Sequence, residues 1–195
     1  MSRYQVAIIG GGVAGLSAAL FLARAKVTAA VYDQHESSLY RVSRVNNYLG
    51  FPAGVAGAEL IELGRRQAEL FGASMIDADV VRVNRIDKAE QPTAASADDA
   101  FRIETTDSAD IAAFVLLASN KRTDIAKSLG LELSGHGSRF VTVDERGQTA
   151  VDRLYAAGRI TGLPSQAVVS AGDGARVAIS IIERVRGAYY VDHDT

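Results

Sequence analysis

Three consecutive glycines interrupt one of the most apolar stretches of this chain. AIIGGGVAGLSAAL runs from Ala7 to Leu20, and the residues on either side of the break differ in kind. Tyr4–Ile9 is a short apolar run of the type found in buried parallel strands. Val13–Ala25 is rich in Ala and Leu with apolar residues on every face, the pattern of a buried helix. VTAAVYD (27–33) reads as a second strand. Strand, glycine turn, helix and strand within about 30 residues make one βαβ unit. The chain is thereby committed to an α/β fold around a parallel sheet.

Gly10, Gly12 and Gly15 give the spacing G-x-G-x-x-G. Alone the pattern is weak, but here it leaves a strand and opens a helix. Gly10 permits the tight turn, Gly12 lets a pyrophosphate approach the backbone, and Gly15 lets helix and strand pack closely. The first helical residues, Val13 and Ala14, bring unpaired N–H groups and a partial positive charge to the phosphates. Asp33 ends the second strand, 18 positions after Gly15, with Gln34 beside it. Its carboxylate can accept from a ribose diol and repels a 2′-phosphate. The residues predict a seat for an ADP moiety, which FAD and NAD share.

Composition narrows the remaining possibilities. The 195 residues are 48% hydrophobic and 23% charged, enough for a full core in one domain spanning 1–195. A net charge of −2 gives no electrostatic case for nucleic acid. No apolar run reaches the roughly 18 residues of a membrane span. The N-terminus enters a strand at once without signal-peptide features, so a cytoplasmic location is expected. Without cysteine the chain has no thiolate nucleophile, disulfide or dithiol relay. His35, His136 and His193 match no metal spacing and read as surface residues, so no metal is expected.

The rest of the chain reads coarsely. Residues 35–54 are irregular, and 57–73 form an amphipathic helix stopping at Gly72. Residues 74–87 look like one strand, 88–100 like an exposed loop, and 101–119 like a hairpin leading into a buried strand. A loop with a short helix follows (120–135), then a strand and turn (139–149) and a last buried strand (153–160). Residues 165–187 read as a long closing helix, before an aromatic, acidic tail, AYYVDHDT.

From Gln5 to Gly187 the order of motifs resembles the flavin domain of the low-molecular-weight thioredoxin reductase family. VAIIGGGVAGLSAALFLARA, NNYLGFPAGVAGAEL, FVLLASN, LYAAGRI and SQAVVSAGDGARVA follow one another as that family's motifs do. The resemblance implies an FAD-binding Rossmann-type parallel sheet with a small β-meander and a helix closing each side. It implies that Asn47, Gln166 and Ala167 face the isoalloxazine ring, that Val80 meets adenine through its backbone, and that Ala118 and Gly158 lie at the cofactor. The family's NADPH domain and redox cysteines have no counterpart, and their insertion point falls near 119–122.

Three positions depart from the family. Its Gly-Gly pair is Glu36-Ser37, its Ala-Thr-Gly is Ala118-Ser119-Asn120, and the Asp of its Ala-Ala-Gly-Asp is Arg159. Arginine accepts no hydrogen bond. Arg159 is therefore expected to point into the cleft toward a phosphate, a ribityl oxygen or an anionic substrate, with a salt bridge to Asp173 as an alternative. The implied function is an FAD-binding oxidoreductase served by a separate electron donor or acceptor. The alternatives are a non-catalytic binder of the ADP moiety and an NAD(H)-binding protein. A homodimer is expected, because a domain exposing Tyr189, Tyr190 and Val191 has reason to cover them.

Overall fold

A computed structural model describes residues 1–86, 100–119 and 122–191. The 88–100 loop, Asn120 and the last tail residues, His193 included, lie outside the described residues, apart from Ala100. The βαβ unit forms as its sequence predicts: β1 (Arg3–Ile9), α1 (Val13–Arg24) and β2 (Ala29–Asp33). Next come α2 (Gly57–Leu70), β3 (Ser74–Asp77), β4 (Val80–Arg85), β5 (Phe101–Thr105) and β6 (Ala109–Leu117). The chain continues through α3 (Thr123–Ser128), β7 (Leu133–Ser134), β8 (Phe140–Val141), β9 (Leu154–Ala156) and α4 (Ala167–Arg186).

The main sheet has the order β3-β2-β1-β6-β5-β4, and β9 also pairs with β6. The β1, β2, β3, β6 and β9 pairings are parallel, while β4, β5 and β6 form an antiparallel meander. The outer edge of β6 is shared. Residues 109–112 pair with β5, and residues 115–117 pair with β9.

Residues 74–87, read as one strand, are two, and they belong to opposite ends of the strand order. Only Ala78 and Asp79 separate them. Asp77 and Val80 are three residues apart, so their Cα atoms lie within about 11 Å. Five strand spacings across a flat sheet would need about 24 Å. The meander must therefore fold back over the parallel strands. Its inward residues Val83, Phe101 and Ile103 accordingly share a core with Ala7, Ile9 and Tyr32.

Alternation along β1 divides the interior. Val6 and Ile8 pack with Leu22 of α1 and Ile181 and Ile182 of α4. Ala7 and Ile9 face the meander and Ile125 of α3. Among the described residues, buried polar side chains are paired. Asp110 accepts from the Tyr32 hydroxyl at 2.9 Å and the Ser2 N–H at 2.6 Å, and burial raises the Tyr32 pKa above its usual value.

Two terminal expectations change. The strand read over 153–160 is only Leu154–Ala156, because Gly158 takes a φ of +78° and starts a 3-10 turn to Thr161. Tyr190 is 7% exposed and lies under the Arg186 guanidinium, 4.8 Å from its ring centre. The tail thus packs partly on its own domain, leaving Tyr189 and Val191 exposed. Among the described residues no helix is long and apolar enough to cross a membrane.

Candidate cofactor site

The register brings four strand ends together at one edge of the sheet. Ile9 lies level with Tyr32 and Leu117, and Leu117 with Ala156. The ladder extends by one residue through Gly10 N–H to Tyr32 O, Ala118 N–H to Ile9 O and Ala157 N–H to Leu117 O, each at 2.9 Å. The chain turns away from the carboxyl ends of β1, β2, β6 and β9 side by side. That edge is where α/β sheets place their ligands.

Within this edge the glycines do separate jobs. Gly10 has a φ of +115°, which a side chain would strain. A Cβ on Gly15 would lie 2.0 Å from the Gly10 carbonyl oxygen, so α1 packs against the strand end only because Gly15 lacks one. At Gly12 a Cβ would meet nothing closer than Ser37 Oγ at 3.7 Å. The fold does not require that glycine, and its open backbone faces the cleft.

Two helices deliver positive potential there. Gly12 caps α1 and Gln166 caps α4, and in neither does a side chain accept from the first N–H groups. Neither first turn carries an acid. Both N-termini therefore offer unpaired donors to the same space.

That space is a cleft of about 230 Å³. Of the predicted residues, Gly10, Gly12, Val13, Ala14, Asp33, Gln34, Val80, Ala118, Arg159, Gln166 and Ala167 line it. Gly15 and Gly158 lie behind the lining as packing residues. A Cβ on Gly158 would fall 2.7 Å from Ala14 Cβ. Asn47 is outside the lining but joined to it, donating from Nδ2 to Gln166 Oε1 at 2.8 Å. The two residues expected at one ring are thus bonded across 119 positions of sequence.

Asp33 is 8% exposed and accepts from Gly11 N–H at 3.2 Å. A Cβ on Gly11 would lie 2.4 Å from Asp33 Cγ, so the middle glycine makes room for the acid. Sequence reasoning passed over Gly11, although a third adjacent glycine was the available signal. Around Asp33, the Arg65 guanidinium lies 4.0 Å away and bonds Asp77 at 2.5 Å. That hydrogen bond holds the Asp77 carboxyl below its ordinary pKa.

Arg122 was also missed. It donates to Asp124, to Asp79 and, at 2.6 Å, to the Val80 carbonyl. This ties the start of α3 to the β3–β4 connection, and the hydrogen bond lowers the Asp124 pKa. It also engages the carbonyl of Val80, the residue expected to meet adenine through its backbone.

The alternative for Arg159, a salt bridge to Asp173, does not form. Asp173 accepts from Gly158 N–H at 2.7 Å and from Arg176 Nη2 at 2.7 Å. The chemistry of the edge is that of a dinucleotide cradle: open glycine backbone, two uncapped helix ends, and an acid at the end of β2.

Known proteins share this chain's sequence pattern and its fold. Thioredoxin reductase 1, mitochondrial, of Arabidopsis thaliana is 27% identical over 97% of this chain and 48% of its own length. The thioredoxin reductase of Streptomyces coelicolor is 43% identical over 41% of this chain and 26% of its own. The chain thus spans about half, or less, of the length of these relatives. Among solved structures, a thioredoxin reductase from Gloeobacter violaceus superposes with a TM-score of 0.79 at 18% identity, covering 100% of this chain and 99% of that one. One from Streptococcus pyogenes MGAS5005 gives 0.81 at 13%, covering 95% and 99%. The FAD dependent oxidoreductase family matches residues 5–195. With the match reaching from the first strand through α4, the chain belongs to that family, and FAD is its cofactor.

Proposed function

We propose that this chain is a single-domain FAD-binding oxidoreductase that exchanges electrons with a separate donor or acceptor. It would have neither the nicotinamide domain nor the dithiol of a thioredoxin reductase. The absence of cysteine supports this. So does the short path from β6 to α3, with β9 returning to pair beside β6.

The observation that carries the reading is the open Gly12 backbone at an uncapped helix end, next to the buried acid of β2. Bound FAD supplies the redox chemistry. The chain's residues bind and orient it. The first turn of α1 takes the pyrophosphate, Asp33 the ribose diol, and Val80 N–H the adenine. Asn47 fixes the Gln166 side chain, which faces the flavin together with the Ala167 N–H. The uncapped start of α4 stabilises negative charge developing at the flavin edge.

Titration of flavin-free protein tests the reading. FAD is expected to bind more tightly than NAD or NADP, and protein purified with bound flavin is expected to be yellow. Tighter binding of NADP than of FAD would overturn the proposal, because Asp33 disfavours a 2′-phosphate. Binding of ADP or NAD with no affinity for FAD would instead identify a non-catalytic binder of the ADP moiety.

We further propose a homodimer. Its support is apolar surface: Tyr189 is 85% exposed and Val191 55%. Burying such residues on a second copy removes apolar area from water. Sedimentation velocity at micromolar concentration should show a two-chain species, and a single monomer peak would defeat the assembly.

A further inference from the structure

Arg159 sits at the carboxyl edge of the sheet with little to hold its charge. It is the second residue of the 3-10 turn that Gly158 presses against the first turn of α1. It lines the same cleft as Gly12, Val13, Gln166 and Ala167. A guanidinium has five N–H donors. Here Nη1 donates to the Leu163 carbonyl at 2.8 Å, and the group lies 5.5 Å from the Phe140 ring centre. Among the described residues no carboxylate pairs with it, and both oxygens of the neighbouring Asp173 are taken.

The cleft around Arg159 is rich in unpaired donors. The uncapped ends of α1 and α4 each place a partial positive charge at this cleft. Arg159 adds a cation to these two ends; Asp33, Glu36 and Asp79 also line the cleft, but none of them pairs with it, and most of its donors are left unused. A ligand carrying two negative charges would reverse both effects, accepting from the guanidinium and from the helix N–H groups together. A neutral sugar chain would satisfy some donors but not the charge.

We propose that Arg159 is a phosphate-binding residue of the cleft, donating to the pyrophosphate of the ADP moiety. This rests on the cofactor reading above and sharpens it: the site recognises its ligand more by the diphosphate than by the flavin. The family's aspartate at this position is then replaced by a residue of opposite charge with a different ligand group.

The test compares Arg159→Gln and Arg159→Lys with the unaltered chain, each stripped of flavin, against FAD, ADP and riboflavin at low and high salt. Loss of a charge-assisted contact predicts about 10- to 100-fold weaker binding of FAD and ADP in Arg159→Gln. Its salt dependence should also be shallower. Arg159→Lys keeps the charge and should lose less, whereas riboflavin, which has no phosphate, should bind all three alike. Unchanged or tighter binding of FAD and ADP by Arg159→Gln would overturn the assignment, as would an equal loss for riboflavin. Should the unaltered chain bind ADP in an Arg159-dependent way but not FAD, the assignment holds and the cofactor reading falls. Binding of neither ligand would remove both.

Discussion

Gly15→Ala is expected to destabilise the fold by about 3 kcal/mol, the upper part of the range for overpacked interiors. The same variant should lose FAD. The added Cβ would stand 2.0 Å from the Gly10 carbonyl oxygen and 3.2 Å from Ile8 Cγ2. A backbone carbonyl at the end of a central strand has nowhere to go. Relief requires α1 to move off β1, which also shifts its open N-terminus and its contact with α4. Gly12→Ala is the control that separates cradle from scaffold. Its Cβ meets only Ser37 Oγ at 3.7 Å, so stability should change by less than about 0.5 kcal/mol. FAD affinity should nevertheless fall, because the Cβ occupies the approach to the backbone. Urea unfolding and flavin titration of both variants check this. Equal stability of Gly15→Ala and the unaltered chain would refute the close-packing account.

Asp33→Ala is expected to weaken FAD binding by about 100-fold, from the loss of a hydrogen bond to a charged acceptor worth about 1.5–3 kcal/mol. It should also remove the preference against NADP. The carboxylate is buried, accepts from Gly11 N–H at 3.2 Å, and faces the cleft. Removing it leaves the Gly11 donor without that partner and the ribose diol without its acceptor. Asp33→Asn retains an oxygen for Gly11 and should fall between the two. Arg65, 4.0 Å from Asp33, stays bonded to Asp77 at 2.5 Å in either variant and no longer has the Asp33 charge between it and a 2′-phosphate. Titration with FAD, NAD and NADP reads all of this. An Asp33→Ala protein still rejecting NADP as strongly as the unaltered chain would locate the discrimination elsewhere.

Local pattern explains why some of this was legible in the sequence. Gly10, Gly12, Gly15 and Asp33 lie within one βαβ unit whose geometry follows from the order of strand, turn and helix. Asn47 and Gln166 were placed together through family resemblance, since nothing local links residues 119 positions apart. The features missed are tertiary. The break at Ala78–Asp79 carries the chain between opposite ends of the strand order, a consequence of the meander folding back rather than of local propensity. Arg122 matters because α3 starts beside that connection. Gly11 is explained only when the Asp33 side chain is seen lying across it. Tyr190 is buried in the core cluster that includes α1 and α4, with Arg186 over its ring, which composition cannot distinguish from an exposed aromatic tail.

The junction of α1 and α4 has a further consequence. A Cβ on Gly174 would fall 2.1 Å from the Ala14 carbonyl oxygen, so the two helices meet backbone to backbone beside the phosphate seat. The cradle is thus assembled from residues 10–15 and residues 158–174, far apart along the chain, and half of it has no partner until the other arrives. Such non-local closure is slow to form, because loop entropy is lost before the contacts are gained. A ligand that binds only the closed arrangement acts as a clasp on the whole fold. At 100 times its dissociation constant it adds about 2.7 kcal/mol to stability. If FAD binds as proposed, it would fasten residues 10–15 to residues 158–174 as well as serve as a redox group.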